Sequence, residues 1–325
     1  MEEPRWKGER NNDRRAPQFN PLAPTIFHED WWLESATNGR FEVAEVRANG
    51  RVVGRLPFHK TNRFGLKMIR MPELTYFLGP AIDEGEGSPN NRFLKRLQIT
   101  RELIERLPRV SWHYVKCQRD VSDVIAFQDL GFRTYVQFTH EIAPRPISVL
   151  WKQMRNKTRN VIRRAQERFA MAELTDPFEF LQFYERNLER KRHMGELDVS
   201  LCGKIIAASL ARRRGRILAA RDDKNQIVAA TFSVWDETSA FYLLSTRGDG
   251  SCNSATSLLL WESIKQAARR NLTFDFAGLG NRGSILHYSG FAARISPRYV
   301  AVRARRLARV MNELKSLLAP ENYFY

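Results

Sequence analysis

The sequence predicts an α+β protein built as two tandem halves, each a mixed β-sheet flanked by helices. Three observations carry that prediction. Period-2 and period-3.6 apolar patterns alternate along the chain, without the regular βαβαβ order of a dinucleotide-binding sheet. The order strand meander, helix, strand, helix, strand occurs twice. Between the two occurrences, residues 143–149 (APRPISV) place two prolines where no regular element continues. A length of 325 residues with 43% hydrophobic content suits two ordinary domains and excludes wholesale disorder. The expected division is a mobile leader at 1–22, an N-terminal domain at 23–145 and a C-terminal domain at 146–325.

Each element follows from local signals. Order is expected to begin near Pro24, ahead of Trp31 and Trp32. Residues 41–59 alternate around Asn49-Gly50, the signature of a tight hairpin. A strand pair is expected across 67–82, punctuated by Pro72 and Gly79-Pro80. Residues 91–107 carry Phe93, Leu94, Leu97, Leu103, Ile104 and Leu107 at helical spacing, stopped by Pro108. A strand follows at 110–117, then a short helix capped by Asp120 or Ser122 and closed at Gly131, then a strand at 133–142. The second half opens with one long helix at 147–169, its apolar side formed by Leu150, Met154, Val161, Ile162, Ala165 and Phe169. Arg155, Arg159 and Arg163 stand four apart on its other side. Helices at 178–192 and 200–214 precede strands at 216–221, 226–234 and 240–246. A helix at 254–270, a strand at 272–276, a short helix to Tyr288, a strand at 298–303 and an amphipathic helix at 304–318 complete the expectation.

Composition narrows the chemistry. The formal charge is +17, and most of the excess lies in 151–325, notably in 151–170 and 186–221. A field of that sign concentrates anions such as nucleic acid, nucleotide diphosphate, coenzyme phosphates or anionic lipid, although a merely solvated basic surface has the same composition. Cys117, Cys202 and Cys252 are odd in number and form no C-x-x-C, which points to reduced thiols in a cytosolic protein and away from a disulfide framework or zinc site. No apolar run approaches a membrane span, the six histidines have no metal-ligand spacing, and no metal is expected. Trp31, Trp32, Trp112 and Trp151 lack the basic, Gly-rich strand context of an RNA-stacking sheet and are expected in the core or between the domains.

Three stretches together resemble one family. The run Leu150 to Ala165 follows K-x-R-x-x-I-R-K-A at Lys157, Arg159, Ile162, Arg163, Arg164 and Ala165, with Arg164 in the second lysine place. The run 258–283 joins a Leu- and Ala-rich helix to a strand bearing D-F-x-G at Asp275, Phe276 and Gly278. Trp32-Leu33-Glu34-Ser35 matches a W-L-E-A-like opening. In these stretches the chain is similar to the Fem-type (FemABX-like) peptidyltransferases and to relatives with a BioF2-like acetyltransferase domain, all within the GNAT acyltransferase fold. One departure stands out: where the family usually has F-K-x-x-F-G, this chain has His287 to Ala292, with Tyr288 in the lysine position.

The resemblance implies two tandem GNAT-like domains and transfer of an acyl group from acyl-CoA, or of an aminoacyl group from aminoacyl-tRNA, to an amine of a cell-envelope, sugar or peptide acceptor. Such transfer needs backbone N–H groups for the donor, a helix N-terminus for its phosphates and a proton acceptor. Arg247, Gly248, Gly250, Asn253, Ser254 and Thr256 are the donor-binding candidates, in a loop that resembles R-x-x-G-x-G/A or is an ordinary loop capping a helix. Asp275 is a candidate base or a structural carboxylate binding loop 277–283. His287, which titrates near neutrality when unperturbed, is a candidate catalytic residue or a packed or surface histidine, and Tyr288 is a candidate oxyanion donor or a packing tyrosine. Lys157, Arg159, Arg163 and Arg164 are candidates for tRNA or other anions, with Arg159 and Arg163 alternatively clamps on internal carboxylates. The competing expectation is a non-catalytic RNA- or anion-binding protein on a decayed transferase fold, which Tyr288 favours.

Overall fold

The computed structural model describes residues 19–63, 65–119, 121, 123–190, 197–248, 253–278 and 282–305. The expected leader, the capping residues Asp120 and Ser122, and the expected helix beyond 305 lie outside the described residues.

The first half begins with a 3-10 turn (Ile26–His28) and α1 (Asp30–Thr37), whose Trp32 and Leu33 are fully buried. β1 (Glu42–Ala48) and β2 (Arg51–Arg63) form the expected hairpin, and both turn residues, Asn49 and Gly50, have positive φ as a type I′ turn requires. β3 (Leu66–Arg70) and β4 (Ala81–Ile82) do not pair with each other as expected; both pair with β2. The chain between them fills space instead of joining the sheet. Leu74 and Phe77 drop into a core shared with Phe27, Trp32, Phe241 and Phe232. α2 (Pro89–Glu105) starts at a Ser88 cap, followed by β5 (Trp112–Lys116), α3 (Ile125–Asp129) and β6 (Arg133–Ile142).

The second half corrects the expectation of one long helix at 147–169. The chain forms α4 (Ile147–Gln153) and α5 (Asn156–Arg168), with Met154 and Arg155 extended between them. The break has a tertiary cause. Met154 is buried, and the Arg155 N–H donates to Gly290 O (3.1 Å) instead of continuing the helix. β7 (Ala170–Leu174), α6 (Pro177–Arg190), α7 (Val199–Ala211), β8 (Gly215–Arg221), β9 (Ile227–Trp235), β10 (Ser239–Arg247), α8 (Asn253–Arg269), β11 (Thr273–Asp275), α9 (Arg282–Ser289) and β12 (Arg294–Ala304) complete the described chain.

The two mixed sheets are one. Among the described residues, twelve strands run in the order β1-β2-β3-β5-β12-β6-β11-β10-β9-β8-β7, with β4 on β2. In each half a parallel pair (β3 with β5, β10 with β11) meets a strand from the other half: β5 pairs with β12, and β11 with β6. β6 and β12 themselves pair antiparallel from Arg133↔Val302 to Glu141↔Arg294, so the halves are related by a pseudo-two-fold close to the Phe138↔Pro297 pair. Strand alternation gives the sheet two faces. Tyr242, Phe274 and Phe276 pack under α5 and α8, whereas Phe241 and Ala277 pack with Phe27 and Phe77 on the opposite face.

Candidate active site

The central feature is a splay between β10 and β11. Their parallel pairing ends at Phe241↔Asp275, while β10 runs on to Arg247. Its register against β9 shifts between Tyr242 and Leu244, a bulge at the point of divergence. β11 is turned away by its own sequence. The Phe276 N–H donates to His140 O (3.0 Å), then Ala277 (φ 55°) and Gly278 (φ 119°) bend the chain. The Gly278 angle lies where a side chain is strained, which accounts for the glycine of the D-F-x-G run. Beyond Phe241 no described strand pairs with this edge of β10, so its backbone groups face the opening.

Asp275 closes the apex. It is fully buried, and both carboxylate oxygens are taken. Oδ1 accepts from Thr139 Oγ1 (2.6 Å) and the Ala277 N–H (2.8 Å), and Oδ2 accepts from Arg298 Nη2 (2.9 Å). Arg298, 3% exposed, also holds Glu141, which Arg119 grips in turn at 2.6 Å. Burial raises the Asp275 pKa against the opposing pull of Arg298, while Arg298 and Arg119 outweigh burial at Glu141 and lower its pKa. This network joins residues from both halves. Thr139, Glu141 and Arg298 were not singled out in the sequence, because 23 residues or more separate Arg298 and Thr139 from Asp275 and no spacing rule links them.

The other predicted residues line the α8 side of the opening. His287 Nε2 shares a hydrogen bond with Ser257 Oγ (2.9 Å) in the first turns of α8. Burial, then the charge of Arg247, lowers its pKa, so the imidazole is neutral at pH 7. The Tyr288 ring lies 4.3 Å from that of Phe276 and 6.1 Å from the His140 ring. His140 is itself buried with a lowered pKa, its Nε2 3.3 Å from Ser289 Oγ and its Nδ1 without a partner. The Thr256 hydroxyl is buried near the α8 N-terminus without a hydrogen-bond partner among the described residues. Arg247 ends β10, Gly248 follows it, and Ser254 lies half-buried in the first turn of α8. Gly250 and the side chain of Asn253 lie outside the described residues.

α5 presents its cations outward. Lys157, Arg163 and Arg164 are exposed, and Arg159 is half-buried. Arg159 bonds Asn156, Arg163 bonds Asn160 (3.2 Å) and lies over the Trp151 ring, and none of the four pairs with a carboxylate among the described residues. Among the described residues they clamp no internal carboxylate. The α5 N-terminus is seated against the turn after α9: a Cβ on Gly290 would collide with Thr158 Oγ1 and lie 3.0 Å from His287 O.

Residues 152–284 match the family described as acetyltransferase (GNAT) domain. No curated protein matches the sequence. Three solved structures share the fold over most of their length. FemX has 13% identity and a TM-score of 0.60, covering 83% of this chain and 90% of its own. The C-terminal domain of a putative lysylphosphatidylglycerol synthetase from Agrobacterium fabrum has 12% identity and a TM-score of 0.56, covering 91% and 95%. L-PGS from Bacillus licheniformis has 13% identity and a TM-score of 0.52, covering 86% and 89%. The GNAT fold and the Fem-type resemblance read from the motifs are borne out. No described helix is long and apolar enough to cross a membrane.

Proposed function

We propose that this chain, which carries a GNAT acetyltransferase domain at 152–284 on a Fem-type fold, is an N-acyltransferase whose donor is an acyl-CoA. The observation that carries this reading is the splay after Phe241↔Asp275, lying beside the N-terminus of α8. An acyl donor lying along β10 would meet backbone N–H groups that no strand occupies. Its diphosphate would reach the α8 N-terminus, where Arg247, Ser254 and the buried Thr256 hydroxyl stand, the geometry that suits an anion. Tyr288, stacked on Phe276, is the phenol assigned to the developing oxyanion. Asp275, with both oxygens engaged, fixes the apex of the opening as a positioning residue. No covalent enzyme intermediate is required if amine and carbonyl are held in contact.

Acetyl-CoA should raise the melting temperature of the full chain, by the equivalent of about 2.7 kcal/mol at a hundred times its Kd. Free phosphate at the same ionic strength should not. Absence of a shift with acetyl-CoA removes the CoA reading. A second reading, aminoacyl-tRNA as donor, is favoured by the cations of α5, which have no carboxylate partner among the described residues. It also fits likeness to a putative lysylphosphatidylglycerol synthetase, named for an aminoacylated product. It requires stabilisation by charged tRNA that falls steeply with salt.

A further inference from the structure

β5 ends at Lys116 as β11 ends at Asp275, and the crossing of β6 and β12 brings both strand ends to one seam. Alternation along β5 puts Lys116 on the face opposite His113, Val115 and Cys117, the face that carries Arg298, Thr139 and Asp275. The Lys116 ammonium lies 5.7 Å from the Tyr76 ring centroid and 5.5 Å from that of Phe77, and the Arg298 guanidinium lies 5.2 Å from the same Phe77 ring. Tyr76 in turn borders Gly278, whose Cβ position would be 3.8 Å from the ring. Lys116 is thus half-buried beside the turn that opens the wedge, on the face away from α8.

Its side chain makes no hydrogen bond or ion pair among the described residues. The carboxylates that share its face are committed elsewhere: Asp275 to Arg298, Thr139 and the Ala277 N–H, and Glu141 to Arg298 and Arg119. The other charged groups there, Arg298 and Arg119, are cations, and Tyr76 contributes a ring. Burial pushes the Lys116 amine down to about 8, Asp275 opposing and Arg298 assisting.

We propose that Lys116 is the catalytic base on the acceptor side, its neutral amine receiving a proton from the acceptor's ammonium at the mouth of the wedge. This rests on the acyl-transfer reading. The acceptor R–NH3+ gives one proton to Nζ. The freed lone pair forms the C–N bond at the donor carbonyl, the C–S bond breaks with its electron pair on sulfur, and the second nitrogen proton passes through water to the thiolate. At pH 7 about a tenth of an amine titrating near 8 is neutral, against about one in three thousand for an ordinary lysine. An ordinary aliphatic ammonium titrates near 10.4, so proton transfer to Nζ runs uphill by roughly two units, and an acceptor amine of low basicity suits this base best. Asp275 cannot take this part with both oxygens engaged, and His287 is held by Ser257 on the α8 side. Donor and acceptor then approach from opposite faces of the sheet.

Trace acetylation of the full chain with acetic anhydride between pH 6 and 10, read by peptide mass spectrometry, tests the proposal without needing turnover. Lys116 should label with a midpoint near 8, at least one unit below that of a short lysine peptide labelled in the same tube. A midpoint equal to that of the peptide, or no labelling at any pH, overturns it. With acetyl-CoA and glucosamine as probe amine, Lys116→Arg should lose about 100-fold in kcat while the stabilisation by acetyl-CoA persists. An arginine variant that turns over like the parent indicates a fixed-charge role and also overturns it. If neither acetyl-CoA nor charged tRNA stabilises the parent chain, the transfer reading falls and the catalytic role with it, whereas a low labelling midpoint would still stand.

Discussion

His28 shows how much a single buried side chain constrains. Its Nε2 donates to Gly79 O (3.0 Å), so Nδ1 is the acceptor for Thr25 Oγ1 (2.8 Å), and the ring is neutral. Burial holds its pKa near 4 against 6.5 in the unfolded chain. Burial, assisted by the charge of Arg303 and opposed by a backbone hydrogen bond at Pro108, holds His113 near 4 as well. Because the unfolded chain binds these protons first, each contribution is complete above pH 6.5 and is lost as pH falls from 6.5 toward 4, about 3 kcal/mol apiece. Urea titrations across that range should show the loss, and His28→Gln should flatten its slope. Asp275→Asn should cost about 3 kcal/mol by the same measurement, since Arg298 stays buried with only Glu141 to balance it. The substitution then impairs turnover through lost stability and a displaced β11. An Asn variant that folds with parental stability would refute the structural role. Asp275 was legible as a candidate because an acid ending an apolar strand is conspicuous. Lys116 was not, because in VSWHYVKC it looks like the polar end of any strand, and only the crossing strands reveal what it faces.

At the scale of elements, β8, β9, β10, α8 and β11 lie where apolar alternation, the Asp222–Asn225 turn and helical spacing put them. Local signals suffice there because each element is bounded by its own turn residues. The break between α4 and α5 was illegible for the opposite reason. The 147–169 pattern is continuous, and what interrupts it is the turn after α9, far along the chain. Gly290 is the key to that contact. Gly290→Ala should destabilise by about 1–3 kcal/mol through overpacking at Thr158, read as a lowered melting temperature. Thr158→Ala in the same chain should restore only part, since His287 O remains 3.0 Å from the added carbon. Full independence of the two changes would mean that α5 does not depend on this seat. The 67–82 segment failed as a strand pair on similar grounds. Its strand-like residues Leu74 and Phe77 are apolar in order to fill a shared core, not to join a sheet.

At the scale of the molecule, the repeated element order was readable, but the way the halves join was not. Nothing local in 133–142 or 294–304 says that each strand finishes the sheet of the other half. Residues 1–145 expressed alone would leave β5 open on one edge and β6 without either of its neighbours. That fragment should aggregate or remain unfolded by circular dichroism, and co-expression with 146–325 should rescue both pieces. The intact chain should unfold in one transition by calorimetry. Two separate transitions would count against the joined sheet.

The position of β12 also sets an order of events during synthesis. β5 and β6 leave the ribosome early, but the strand that separates them is among the last described segments to emerge. Until then, the first half carries two unsatisfied hydrogen-bonding edges in crowded surroundings, exposed for as long as translation takes. A chain arranged this way depends on the speed of its own elongation, so slow codons between 150 and 290 would lengthen the interval in which a nascent edge can meet the wrong neighbour.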